Sequence, residues 1–332
     1  MLLNLHTHLE GTVRPGTAAE LAEELGCPTP IGGWENAFRI KGPGNLTVFL
    51  SHVATAYPLL GRAENLRRVA FEAVQDAALD GQSYVEIRLG PGTHARPNLS
   101  VLEVLAAVCG GVAEGTAATG IRGGVIACML RHEPADLVEE IARAAVALAD
   151  DGVVGLDIAG DEILYPSLNR FAPLYALARD AGLGLTAHAA EAGPASAARE
   201  AVEVLGVSRI GHGSHMADDL ELLDWIRSEG VTVEVCPTSN VLTKAAPSLA
   251  EHPVHAFVSA GMAVALGDDN PQNTGVSLSQ EARLLVTEGG LKADVVAGFA
   301  RDAINAAFCS DGVRRDLAAL LDRETRAVRG LD

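Results

Sequence analysis

The sequence predicts an α/β fold, a (β/α)8 TIM barrel forming one domain over residues 1–332, with an extra helical lid after the first strand and closing helices at the C-terminal end. Three observations predict it. Eight short apolar runs rich in β-branched residues recur along the chain, and amphipathic segments alternate with them. Strands that read as continuous apolar runs belong to a parallel sheet covered by helices. Ionisable side chains collect at the ends of several runs, where barrels of this architecture carry their chemistry. A doubly wound open sheet is the second architecture that the same alternation allows.

Taken in order, the strands are "LLNLHTH" (2–8), "YVEIRLG" (84–90), "GGVIACML" (123–130), "VVGLDIAG" (153–160), "GLTAHAA" (184–190), "SRIGHG" (208–213), "VTVEVCP" (231–237) and "MAVALGD" (262–268). Between them, "ENLRRVAFEAVQDAALDG" stops at Gly81, "EPADLVEEIARAAVALADDG" has Pro134 near its start and Gly152 after its end, and "ADDLELLDWIRSEG" opens acidic and closes on Gly230. Acidic residues and proline at the start with glycine past the end are helix boundary signals in the correct polarity. Residues 27–62 add a proline- and glycine-rich loop and an extra helix, expected to sit over the barrel mouth. Beyond the eighth strand, "KADVVAGFARDAINAAFCSDGVRRDLAALLDRETRAV" reads as two or three closing helices.

Composition narrows the function. Hydrophobic residues make up 48% of the chain and charged residues 20%, a globular balance. A net charge of -18 with only three lysines argues against nucleic acid as a partner, because that affinity is built on basic neutralisation of phosphates. A small uncharged or cationic ligand fits better. Five scattered cysteines without a C-x-x-C pair suggest neither a disulfide framework nor a zinc ribbon, and a reducing cytoplasm is the expected home. No stretch approaches the ~20 uninterrupted apolar residues of a membrane span, and "MLLNLHTH" lacks the features of a signal peptide.

His6 and His8 stand two apart on the first strand, so their imidazoles point the same way and can converge. The pair reads either as metal ligands or as two hydrogen-bonded histidines at a strand end. His188 and Glu191 at the fifth strand, His212 at the sixth, and Asp268 and Asp269 at the eighth add imidazoles and carboxylates suited to zinc. His52, His132, His252 and His255 fall in helical or loop patterns and read as surface or core-edge residues; His94 could line the pocket but reads first as a loop residue, and His215 lies near the mouth but reads as readily as a structural residue. G-x-S-x-G, Walker-type and clean G-x-G-x-x-G motifs are missing, as is the zinc signature of cytidine-type deaminases. Cys236 reads as packing under the site.

The ordered segments "HTHLEG", "GLDIAGDE", "TAHAAE", "RIGHG", "EVCPTSN" and "ALGDD" resemble the adenosine deaminase family, zinc amidohydrolases with a (β/α)8 barrel, over residues 4 to about 271. The resemblance implies hydrolytic deamination of a 6-aminopurine to the 6-oxopurine and ammonia. It implies one Zn2+ held by His6, His8, His188 and Asp268. Glu191 would protonate N1 and His212 would orient and help deprotonate the zinc-bound water. Asp269 would meet N7, the backbone N–H of Gly160 would meet N3, and Glu10 would lie near the substituent on N9. The fourth strand offers no lysine to bridge two metals, so a mononuclear site is expected.

Three departures from the family pattern bear on the substrate. Glu10 stands where adenosine deaminases carry aspartate, as in adenine and 6-amino-6-deoxyfutalosine deaminases; Ala190 replaces the glycine of H-A-G-E; and "GDDNP" replaces Ser/Thr-Asp-Asp-Pro. The alternatives to a 6-aminopurine deaminase are a zinc amidohydrolase acting on another ring amine, such as a pterin, and a barrel that binds without catalysis.

Overall fold

The computed structural model describes residues 1–329. Eight parallel strands form one sheet in sequential order: β1 (Leu2–His8), β2 (Gln82–Leu89), β3 (Arg122–Leu130), β4 (Val153–Ala159), β5 (Gly184–Ala189), β6 (Arg209–His212), β7 (Thr232–Val235) and β8 (Val264–Leu266). The barrel closes through a parallel bridge between Thr7 and Asp269, where His8 N–H donates to the Asp269 carbonyl at 2.7 Å and Asp269 N–H to the His6 carbonyl at 2.9 Å. Strand positions agree with the sequence pattern within two or three residues. The expectation of a (β/α)8 barrel holds.

The two faces of the barrel wall carry different cores. Outside, Val85, Ile87, Val125, Leu156, Ile158, Ile210 and Val233 pack against the helices in one continuous apolar cluster. Inside, below the mouth, fully buried Glu86, Arg88, Asp157, Arg209 and Glu234 form an ionic layer in place of the branched aliphatic layers common to such barrels. Arg209 pairs with Glu86 at 2.7 Å and Glu234 at 2.6 Å, and its guanidinium lies over the Phe308 ring. Phe308 closes the floor. A Cβ at Gly184 would sit 2.1 Å from its ring, so glycine there admits the plug.

Helices cover the outer wall as the boundary signals predict. Leu220–Ser228 is capped by Asp219 accepting from Leu222 N–H at 2.9 Å, and Gly230 beyond it has φ 71°. Val101–Thr119 is opened by a Ser100–Glu103 capping box. By length and mean hydropathy of 1.5 that helix could cross a membrane, although Glu103 and Glu114 interrupt it; here it packs on helix Ala63–Leu79 and strand β3, as a core helix of a barrel does.

The lid is more helical than expected. Residues 33–60 form Gly33–Phe38, Leu46–Val53 with Asn45 as its cap, and a 3-10 turn Ala54–Leu60 that accommodates Pro58. After β8 come Leu278–Thr287, Ala293–Ala306 and Asp311–Arg329.

Candidate metal centre and active site

Strand alternation brings His6, His8 and His188 to one point at the mouth of the barrel, with a ring nitrogen of each within 4.8 Å of the others. His8 Nε2 and His188 Nε2 are 3.2 Å apart. The far sides of two rings are pinned. His6 Nδ1 lies 2.8 Å from Glu234 Oε2, and His188 Nδ1 lies 3.0 Å from Asp157 Oδ2. Carboxylates on Nδ1 hold the proton there and turn the bare Nε2 inward, the arrangement that metal-ligating histidines adopt. His6 Nε2 is accordingly buried with no hydrogen-bond partner. These donors fit a divalent cation that takes imidazole nitrogen and carboxylate oxygen.

The carboxylate that completes the cluster is Asp269 and not Asp268. Asp269 Oδ1 stands 3.4 Å from His8 Nε2 and 3.7 Å from His6 Nε2, and Asp269 also groups with His6 and His212. Asp268 faces away: it lines a separate cavity with Asn4, Thr7, Asp80 and Ser277. Closure of the barrel decides between the two aspartates, because Asp269 is the residue bridged to β1. Its left-handed backbone, φ 59°, completes the turn, while Ser239 Oγ donates to its Oδ2 at 2.5 Å. Gly267 lets the chain reach that position, since a Cβ there would come 2.6 Å from His6 Cβ. Counted back from Pro271, the family's aspartate pair falls on Asp269 and Asn270. The asparagine borders the pocket, its Nδ2 donating to Asp269 Oδ1 at 2.7 Å.

Glu191 and His212 face the cluster, with His212 Nε2 3.7 Å from Glu191 Oε2. Burial, reinforced by Asp269, pushes the Glu191 carboxyl up to about 8. Burial, together with His188 nearby, holds His212 well below the ordinary imidazole value. His6 and His8 are lowered in the same way by burial, whereas at His188 Asp157 outweighs burial and raises the ring. Burial thus favours the neutral imidazole at His6, His8 and His212 and the protonated carboxyl at Glu191.

The loop after His188 is held by a residue that motif reading left without a role. Glu162 Oε2 accepts three successive backbone N–H groups, from Glu191, Ala192 and Gly193, at 2.8–2.9 Å. Arg131 ties the same corner down, donating to the His188 carbonyl at 2.9 Å and to Glu162 at 3.4 Å. Ala190 sits at φ 54°, which explains why glycine is usual there; the alanine carries backbone strain of about 1 kcal/mol.

The pocket over the cluster is about 390 Å³. Gly160 borders it from β4, and the lid supplies Leu46, Phe49, Leu50, Val53 and Tyr57. Glu10 also lines it, and its Oε1 accepts from Gly90 N–H at 3.2 Å and lies 2.9 Å from His94 Nε2. His94, fully buried, therefore stands behind the pocket wall and supports Glu10. Cys236 is fully buried beneath the centre, and burial pushes its thiol well up, in keeping with a packing role.

An eight-stranded parallel barrel with three imidazoles and a carboxylate converging at the C-terminal mouth defines the amidohydrolase class of hydrolases. The comparisons make the assignment narrower. The chain belongs to the adenosine deaminase family, whose profile matches residues 2–324. It is 32% identical to an adenosine deaminase of Enterococcus faecalis over 97% of this chain and 96% of that protein. Its fold is similar to an adenine deaminase from Arthrobacter aurescens, with a TM-score of 0.90 and 27% identity over 98% of this chain and 99% of the other. It is also similar to an amidohydrolase from Burkhoderia ambifaria with bound Zn, with a TM-score of 0.91 and 26% identity over 99% and 91% of the two chains. As a member of this family the protein is a hydrolase that acts on the C–N bond of an aminopurine.

Proposed function

We propose that the protein deaminates a 6-aminopurine at C6, releasing ammonia and the 6-oxopurine, with one zinc ion held by His6, His8, His188 and Asp269. The convergence of these four side chains carries the reading, because the donor set and its inward-facing Nε2 atoms suit zinc. When bound, zinc supplies a water acidified to a pKa near ~7, hence hydroxide at neutral pH. The rest is done by the chain. Glu191, protonated at neutral pH, faces the cluster and gives its proton to N1, relieving the charge that addition at C6 places on the ring. The Gly160 N–H meets N3, and Asn270 takes the place at N7 that Asp269 cannot fill while it serves the metal.

The N9 end of the substrate meets Glu10 and the lid. No arginine or lysine lines this pocket among the described residues, and Glu10 and Asp161 border it away from the metal, which favours a base or nucleoside over a phosphorylated nucleotide. Five free thiols fit a reducing cytoplasm. The test is to incubate the zinc-loaded protein with adenosine, adenine and 6-amino-6-deoxyfutalosine and to follow ammonia release with the ultraviolet change. Turnover of one or more is the expected result; turnover of none would shift the assignment to another ring amine, such as a pterin.

A further inference from the structure

We infer that His252 and Asn240 fix the tautomer of His212, so that its Nε2 carries the proton and the residue acts as a hydrogen-bond donor to the reacting centre, not as a base there. The inference rests on the function proposed above only for what His212 faces. The chain of bonds that fixes the ring stands on geometry.

The argument begins at a backbone amide, whose role is not open to choice. Val254 N–H donates to His252 Nδ1 at 3.0 Å. An N–H can only donate, so Nδ1 of His252 carries a lone pair and the proton of the neutral ring is on Nε2. That Nε2 lies 3.1 Å from Asn240 Oδ1, which accepts. The Asn240 amide is thereby oriented, and its Nδ2, 3.0 Å from His212 Nδ1, must be the donor. Nδ1 of His212 is then an acceptor, and its ring proton sits on Nε2, toward Glu191 Oε2 at 3.7 Å.

Amide orientations and imidazole tautomers are commonly ambiguous, because each is judged against the other. Here the peptide amide breaks the circle. Asn240, His212 and His252 are 0–2% exposed, so bulk water is not at hand to replace any partner. A protonated His212 would set an Nδ1–H against the Asn240 NH2, two donors facing each other. The network thus disfavours the imidazolium and leaves no lone pair on Nε2. His212 can steady an oxygen bearing negative charge at the centre, and it has no free site on that side with which to take a proton. Asn240 and His252 are positioning residues that act through it. His252, which the sequence pattern assigned to a core edge, is the anchor.

The test uses zinc-loaded protein labelled with 15N at histidine, with ring nitrogens correlated to ring C–H protons by NMR. Expected are a protonated Nε2 and a bare Nδ1 for both His212 and His252; a proton on Nδ1 of His212 overturns the inference. Asn240→Asp replaces the donor with an acceptor and should move the His212 proton to Nδ1, lowering kcat by about 10²- to 10⁴-fold with KM little changed. His252→Gln retains an N–H donor to Asn240 Oδ1 and should keep the tautomer, with kcat within about tenfold of the parent. A reversed tautomer with undiminished kcat would overturn the donor role, and should the Asn240 variant fail to fold, the spectrum of the parent protein still decides. Absence of turnover on every 6-aminopurine, with the tautomer as expected, would instead fault the proposed reaction and leave the network standing.

Discussion

The barrel strands and the lid both face the same pocket, yet they are built on opposite principles. Three of the four imidazoles on the strands are fixed at the far nitrogen: His6 by Glu234, His188 by Asp157 and His212 by Asn240. Arg88 lies beneath two of these supports, donating to Asp157 at 2.9 Å, Glu234 at 2.8 Å and the Leu5 carbonyl at 2.6 Å. The lid, by contrast, meets the pocket with Leu46, Phe49, Leu50 and Val53, and Leu50 remains 36% exposed. Directional bonds fix atoms to a fraction of an ångström, which chemistry at one carbon requires, whereas apolar contact tolerates variation in ligand shape. Substitutions on the strands should therefore affect turnover and metal, and those on the lid should affect choice of substrate.

The largest effect is expected at the carboxyl beside the metal. Glu191→Gln removes the transferable proton and should lower kcat by about 10²- to 10⁴-fold while zinc content, measured by elemental analysis, stays at one per chain. Asp269→Asn and Asp268→Asn form a matched pair: the first should weaken zinc binding and the second should leave it intact. Equal zinc affinity in both would return the ligand to the residue that the sequence reading chose.

Arg88→Met comes next. It strands Asp157 and Glu234 in the barrel interior, and losing one partner of a buried ion pair costs about 3–5 kcal/mol. Arg88 and Arg209 counter the burial that would raise Glu234, and His188 and Arg88 hold Asp157 low. Chemical denaturation of the metal-free protein should show the loss directly. A stability unchanged from the parent would mean that the ionic layer does not support the site.

Sequence alone showed the strands because apolar runs and cap residues are local signals, and it showed His6, His8 and His188 because motif spacing on a strand sets direction. It misplaced the carboxylate for a physical reason: two adjacent aspartates look alike in a string, and only the bridge from Asp269 to β1 says which faces inward. Glu234, Asp157 and Arg88 stood inside strands that read as apolar, and their partners are contributed by distant strands, so no local pattern exposes them. Asn240 ends the segment "EVCPTSN", yet its meaning depends on His252, twelve residues on and in another segment.

The rim of the barrel offers a smaller effect. Glu133, just past β3, accepts from Leu130 N–H at 2.7 Å, and burial raises its carboxyl to about 7. A raised folded-state pKa means that the native protein binds the proton more tightly than the unfolded chain. That contribution to stability is complete below about pH 4.5 and is lost as pH rises through about 7, on the order of 2 kcal/mol. Denaturation curves across that window should slope downward for the parent, and Glu133→Gln, which cannot titrate, should flatten the slope. An unaltered slope would assign the pH dependence to another group.

The smallest change is expected in the lid. Leu50→Ala removes apolar wall from a residue that already meets solvent, so little native packing is lost and the cavity widens on the side proposed to take the N9 substituent. Differences of a few methylenes in an apolar wall are worth about 1–3 kcal/mol, and the solvent exposure of Leu50 places it at the low end. KM should therefore change by less than about tenfold, in opposite directions for small and bulky substituents, while kcat and zinc content hold. Steady-state kinetics on adenine and adenosine in parallel would show this. A fall in kcat for both substrates alike would mean that the lid helps to place the reacting carbon, and the division of labour between strands and lid would have to be redrawn.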